Sequence, residues 1–404
     1  MIKYSITALL LQLISCWAIS QNNYQEISLP ELMKNIMHGE KDYLILDVRT
    51  KGEYHDSLTS GKHLNIGRIK GAVNIPLQDL QRDSNALKAL DAHKDKNIYV
   101  ICSHSYRSRT ISNLLLRNGF TKITNVQGGM SEWYRDFDGL KPFAPVMLEK
   151  NIPYPNISPA ELFEKMKKKE EIVFIGFKNA PRGFFDTIIT KLYNYFPDFK
   201  NTIYFRAVDS AAVLNKAREL QGKTIVTFNT IGMGGGEMAA WLTQNHIPHV
   251  NYLVGNLAGF FEYMANYQDA EKKEKYFTVK SGIEFYSGLS LCRALEKNKA
   301  IRLVDLRHDT LFAKTTTGTK ISYKKLKGAV NFPFYKTAEE FASQFPDKSK
   351  EYVLLGQQNY VGIELANELV KKGYKVGWLI GGNERWEWYT NNIPAFSCKD
   401  YFEK

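Results

Sequence analysis

Short, continuous apolar runs alternate along this chain with longer stretches whose apolar positions recur every three or four residues. Tyr43-Leu44-Ile45-Leu46 and Ile98-Tyr99-Val100-Ile101 are runs of the first kind. A run without polar alternation predicts a strand buried on both faces. Stretches of the second kind predict helices. One spans Leu29 to Met37 after Ser28 as the N-cap; another carries Ile111, Leu114 and Leu115 on one face and reaches a C-capping Gly119. Between them, Gly71-Ala72-Val73-Asn74-Ile75-Pro76 leads into a further helical region. Buried strands separated by helices predict an α/β architecture, a parallel sheet covered on both faces.

The pattern occurs three times. The strand before Cys102 has counterparts in Thr224-Ile225-Val226-Thr227-Phe228-Asn229 and Tyr352-Val353-Leu354-Leu355-Gly356. The equivalent positions Cys102, Asn229 and Gly356 are spaced 127 residues apart. Each copy continues through a helical pattern into a second short strand ending near glycine: Gly128-Gly129, Gly255 and Gly381-Gly382. An aromatic follows in each, Trp133, Phe260 and Trp386. A chain of 404 residues exceeds one core. Three tandem domains of one fold are expected, at 24–145, 155–268 and 277–400.

Residues 1–20 read as a signal peptide, with Lys3 ahead of an apolar stretch from Ile6 to Ile19 too short for a comfortable membrane span. Two processing sites compete. Ala18-Ile19-Ser20 suits ordinary cleavage, whereas Leu13-Ile14-Ser15-Cys16 suits lipidation at Cys16. Either implies export to the periplasm or cell envelope. No other segment is apolar enough to span a membrane. The net charge of +12 is dispersed, and no Arg/aromatic platform points to nucleic acid. Beyond Cys16 there are three cysteines, Cys102, Cys292 and Cys398. The last two lie near the ends of the third repeat and either pair, leaving Cys102 free, or stay reduced. The His and carboxylate spacings define no metal site.

Chemistry concentrates at Cys102. It ends a strand, and Ser103-His104-Ser105-Tyr106-Arg107-Ser108 leads into a helix. Loop N–H groups and the helix dipole favour an ionised thiol there and hold an anionic substrate. Arg107 would add a fork-shaped anion clamp.

These residues resemble the rhodanese-like family, in three copies covering the mature chain. Asp47-Val48-Arg49 with Glu53-Tyr54 looks like the family's opening motif. Gly67-Arg68-Ile69-Lys70-Gly71-Ala72-Val73-Asn74-Ile75-Pro76 is similar to its next motif, with Arg68 where His is usual. Gly128-Gly129 and Trp133 look like its closing motif, and Cys102 through Arg107 matches its six-residue active loop. The resemblance implies three domains, each a mainly parallel five-stranded sheet with helices on both faces. It also implies sulfur transfer: Cys102 takes the outer sulfur of a small anionic donor such as thiosulfate as a covalent persulfide. That sulfur then passes to cyanide, a thiol or a protein acceptor, with no cofactor. A phosphate-cradling Cys loop has one more residue, so the shorter ring favours sulfur. Ser103, His104, Ser105, Tyr106 and Ser108 would line the donor site, with His104 either tuning the thiol or exposed at the rim. A Gly is frequent at the place of Ser105, where the loop needs positive φ. Asp47 and Arg49 are expected to be scaffold and Trp133 core.

The other copies lack the nucleophile. Asn229 and Gly234 stand for Cys and Arg in the second, whose glycine-rich loop is either an anion nest or vestigial. The third keeps Asp305-Leu306-Arg307 but has Gly356 and Val361 at the two active positions. Two competing readings accompany the enzyme: a non-catalytic scaffold of the envelope, and a thiol reacting with oxidants or oxyanions such as arsenate.

Overall fold

In the computed structural model of the chain, the described residues are 24–57, 66–135, 137–152, 154–178, 192–206, 209–220, 222–230, 234–267, 273–297, 300–313, 325–356, 361–392 and 396–402. Residues 1–20, read above as a signal peptide, and Cys16 among them lie outside the described residues. Among the described residues no helix is long and apolar enough to cross a membrane.

The first repeat runs β1 (Gln25–Ser28), α1 (Leu29–Met37), β2 (Tyr43–Asp47), α2 (Lys51–Tyr54), β3 (Val73–Asn74), β4 (Asn97–Ile101), α3 (Tyr106–Arg117) and β5 (Ile123–Gln127). Ser28 caps α1 by accepting the Glu31 N–H at 3.3 Å. The sheet order is β1-β5-β4-β2-β3, and its pairings are parallel. In β2 and β4 successive residues are buried, Leu44 through Asp47 and Ile98 through Ile101. Burial of both alternating sets means that both faces are covered, which is why these strands read as unbroken apolar runs.

The second repeat contributes β6 (Asn156–Ile157), β7 (Ile172–Lys178), β8 (Ile203–Arg206), β9 (Thr224–Phe228) and β10 (Val250–Leu253). The third contributes β11 (Ile283–Tyr286), β12 (Ile301–Asp305), β13 (Val330–Asn331), β14 (Glu351–Leu355) and β15 (Lys375–Leu379). Their sheets run β6-β10-β9-β7-β8 and β11-β15-β14-β12-β13. Taken in chain order within each repeat, all three sheets have one strand order. The α/β class with three mainly parallel five-stranded sheets is borne out.

The chain packs as two compact units, Met1–Tyr54 with Ile69–Met130, and His55–Arg68 with Ser131–Lys404. The second and third sheets share the latter, so these two repeats are not separate packing units. One apolar core runs through both, from Phe174, Phe199 and Phe228 to Phe285, Val304 and Trp378. Phe196 meets Phe285 edge-on at 4.7 Å between ring centroids. Beside this core, the Arg385 guanidinium grips Glu262 through two hydrogen bonds of 2.6 and 2.8 Å. Tyr389 donates to the same carboxylate at 3.0 Å. Cys292 and Cys398 are joined in a disulfide, leaving Cys102 as the free thiol among the described residues.

Candidate active site

β2 and β4 are neighbours in register, with Asp47 opposite Ile101. The residues after both strands therefore emerge at one carboxyl edge, where parallel sheets place their ligands. Cys102 is the first residue beyond β4 and only 1% exposed, packed in the apolar cluster of Leu46, Val48, Val100 and Ile111. Its Sγ lies 3.5 Å from Ser108 Oγ. The Ser108 hydroxyl also reaches the Ser105 carbonyl at 3.0 Å. One hydroxyl proton thus serves two acceptors: with a neutral thiol it goes to the carbonyl, and with a sulfur anion it can turn to the sulfur.

α3 starts at Tyr106, so Ser103 to Ser105 form a tight turn at the positive end of a 12-residue helix. The turn is possible because Ser105, at the N-cap, is left-handed, with φ 77° and ψ −19°. That conformation costs a side-chain-bearing residue about 1–2 kcal/mol. Ser105 is buried, and its hydroxyl donates to the Val126 carbonyl at 3.4 Å. His104 and Tyr106 are exposed at the rim.

Arg107 does not stand open as an anion clamp. It forks onto Glu53, Nη1 to Oε2 at 2.6 Å and Nη2 to Oε1 at 2.7 Å. Nη2 also reaches Ser103 Oγ at 2.7 Å, and that hydroxyl donates to Glu53 Oε1 at 2.8 Å. From its own turn, Glu53 accepts the Thr50 N–H at 3.0 Å and the Thr50 hydroxyl at 2.9 Å. Its side chain is 2% exposed, that of Arg107 20%. Burial opposes the charge on Glu53, but the Arg107 hydrogen bonds and charge, with Thr50 and Ser103, outweigh it and bring the carboxyl down to about 2. Burial likewise disfavours the Arg107 charge, and Glu53, followed by Cys102 and Asp47, pushes its pKa up instead. Glu53 was visible in the sequence only as part of a motif. The signal that marks it is a carboxylate on a short helix directly after a buried strand.

Asp47 and Arg49 are fully buried and paired to each other, Nε and Nη2 on the carboxylate at 2.7–3.0 Å. The Asn74 amide ties the turn by donating to the carbonyls of Asp47 and Arg49 at 2.8 and 2.9 Å. The third repeat builds the same arrangement from Asp305, Arg307 and Asn331. Since that repeat has no thiol at its strand end, the pair serves the turn. Gly128 and Gly129 are also left-handed, at φ 70° and 60°. A Cβ on Gly129 would overlap the Cys102 carbonyl oxygen and sit 2.8 Å from Ser103 backbone atoms. This glycine lets the backbone close under the active loop, where the Met130 N–H donates to the Cys102 carbonyl at 2.8 Å. Trp133 is buried.

At the second repeat's strand end, Asn229 spends its amide on backbone. Nδ2 donates to the Phe177 carbonyl at 2.9 Å, and Oδ1 accepts the Gly235 N–H. Residues 231–233 of its glycine loop lie outside the described residues. In the third repeat the helix begins at Ile363, seven residues after Gly356, whereas α3 begins four after Cys102. Val361 therefore precedes its helix, while Arg107 lies inside α3. The two are not structural equivalents.

A free cysteine in the short loop between a parallel strand and a helix N-terminus marks the class of protein. Residues 28–136 and 290–387, just over half of the chain, match the family model for the rhodanese-like domain. The chain belongs to the rhodanese-like family. An uncharacterised protein of Bacillus subtilis, YqhL, is 33% identical over 95 residues, 24% of this chain and 64% of that protein. The tRNA uridine(34) hydroxylase of Escherichia coli is 29% identical over 102 residues, 25% of this chain and 26% of the hydroxylase. The chain thus spans less than two thirds of either curated relative. A solved thiosulfate sulfurtransferase from Pseudomonas aeruginosa aligns with 89% of this chain and 67% of its own, at 14% identity and a TM-score of 0.23.

Proposed function

We propose that this protein is an exported sulfurtransferase with one working site. The Cys102 thiolate attacks the outer sulfur of a sulfane-sulfur donor, thiosulfate or a similar compound. The new S–S bond forms as the donor's own S–S bond breaks, and the remainder leaves with the electron pair. The persulfide is then attacked by cyanide, a thiol or a protein acceptor, which returns the thiolate without a cofactor. One observation carries this reading: of three equivalent strand ends, Cys102 alone presents a nucleophile, beside Ser108 and beneath the start of α3. Export rests on the N-terminal pattern. The two later repeats would dock a partner. The test is turnover from donor to cyanide. Wild-type protein should turn over, and Cys102→Ser should fall to background. Equal turnover by both would favour the scaffold reading, which Asn229 and Gly356 support for the later repeats.

A further inference from the structure

Resting on that reading, we propose that Glu53 selects the donor class by neutralising Arg107. The site then takes sulfane sulfur from a persulfide of a thiol carrier in preference to a donor with an anionic group bonded to the transferred sulfur. The loop's guanidinium is the group that would greet a sulfonate. Here both of its outer nitrogens are already engaged by one carboxylate, at 2.6 and 2.7 Å. A third hydrogen bond holds it to Ser103. Glu53 is almost wholly buried and receives further donors from Ser103 and Thr50, so its charge is not dispersed into solvent. The pair sums to zero charge. Beside the sulfur stand a hydroxyl, Ser108, and the start of α3. These serve one sulfur anion, but a sulfonate beside them meets a guanidinium whose charge Glu53 already offsets.

For a carrier persulfide, R–S–SH, the Cys102 thiolate bonds the outer sulfur, and the S–S bond between that sulfur and the carrier sulfur breaks. The carrier leaves as the thiolate R–S⁻, and Cys102 holds –S–SH. No electrons are gained or lost overall. With thiosulfate the leaving group would be sulfite, whose growing negative charge meets an Arg107 already neutralised by Glu53.

Glu53 is a positioning residue, so the test must read selectivity and not rate alone. The probes are thiosulfate and glutathione persulfide, with Cys102 persulfide formation followed under single turnover. Wild-type protein should favour glutathione persulfide in kcat/KM by tenfold or more. In Glu53→Gln, which keeps shape but removes the charge, the ratio should move toward thiosulfate by about tenfold, chiefly through a lower KM. The shift should vanish in the double variant Glu53→Gln/Arg107→Gln, and Glu53→Asp should keep the wild-type preference. A wild-type protein preferring thiosulfate would overturn the inference without need of any variant. So would a Glu53→Gln protein that slows equally with both donors. If Cys102 accepts sulfur from neither donor, sulfur transfer itself fails, a different outcome from a wrong preference.

Discussion

Ser105 shows how much one dihedral angle decides. Its left-handed backbone makes the turn that brings Ser108 under the thiol, at a local cost that glycine would not bear. Ser105→Gly should therefore stabilise the first unit by about 1 kcal/mol, offset in part by the long hydroxyl bond to Val126. A lower denaturation midpoint for the variant would contradict this. Glu53 matters through charge. Its pKa falls from 4.5 to about 2 on folding, so its contribution is present above pH 4.5 and is lost as pH drops toward 2. A difference of that size corresponds to about 3 kcal/mol. Denaturation of wild-type protein should weaken between pH 5 and 2 more steeply than that of Glu53→Gln; parallel acid branches would refute the assignment. At this scale the sequence made Cys102, Arg107 and the odd serine at 105 legible, because each sits at a fixed place in a short motif. Nothing in residue order said that Arg107 would be claimed by Glu53, 54 positions earlier. That contact depends on two strand ends meeting at one sheet edge.

The strands with unbroken apolar runs, β2 and β4, were readable because burial on both faces leaves no polar alternation. β1 was not. It has four residues, with Gln25 and Glu26 exposed at the sheet edge, and its pairing to β5 is long-range. The helix after it was clear because its cap and amphipathic face are local features. The glycine pair after β5 was visible as a repeated landmark, but its purpose is a contact: Gly129 lies against the backbone of Cys102 and Ser103. Gly129→Ala combines a left-handed alanine with overlap, which should cost about 2–4 kcal/mol. It should also slow persulfide formation by displacing the loop. An alanine variant with unchanged stability and rate would show that the close approach is not needed.

Across the whole chain, the 127-residue spacing reveals three copies of one strand order, and the rhodanese-like resemblance is borne out by the family match. Spacing alone does not tell which repeats pack together. The shared aromatic core and the partly buried Arg385–Glu262 pair merge the second and third into one unit, through contacts far apart in sequence. A three-repeat chain with a free thiol at one of its three equivalent strand ends makes a stoichiometric demand, read by the intact mass after exposure to a sulfane-sulfur donor. The wild-type protein should gain one sulfur atom per chain, located at Cys102 by peptide mapping, removed by cyanide and absent from Cys102→Ser. A protein that gains no sulfur, or gains it elsewhere with Cys102 unmodified, would contradict the account.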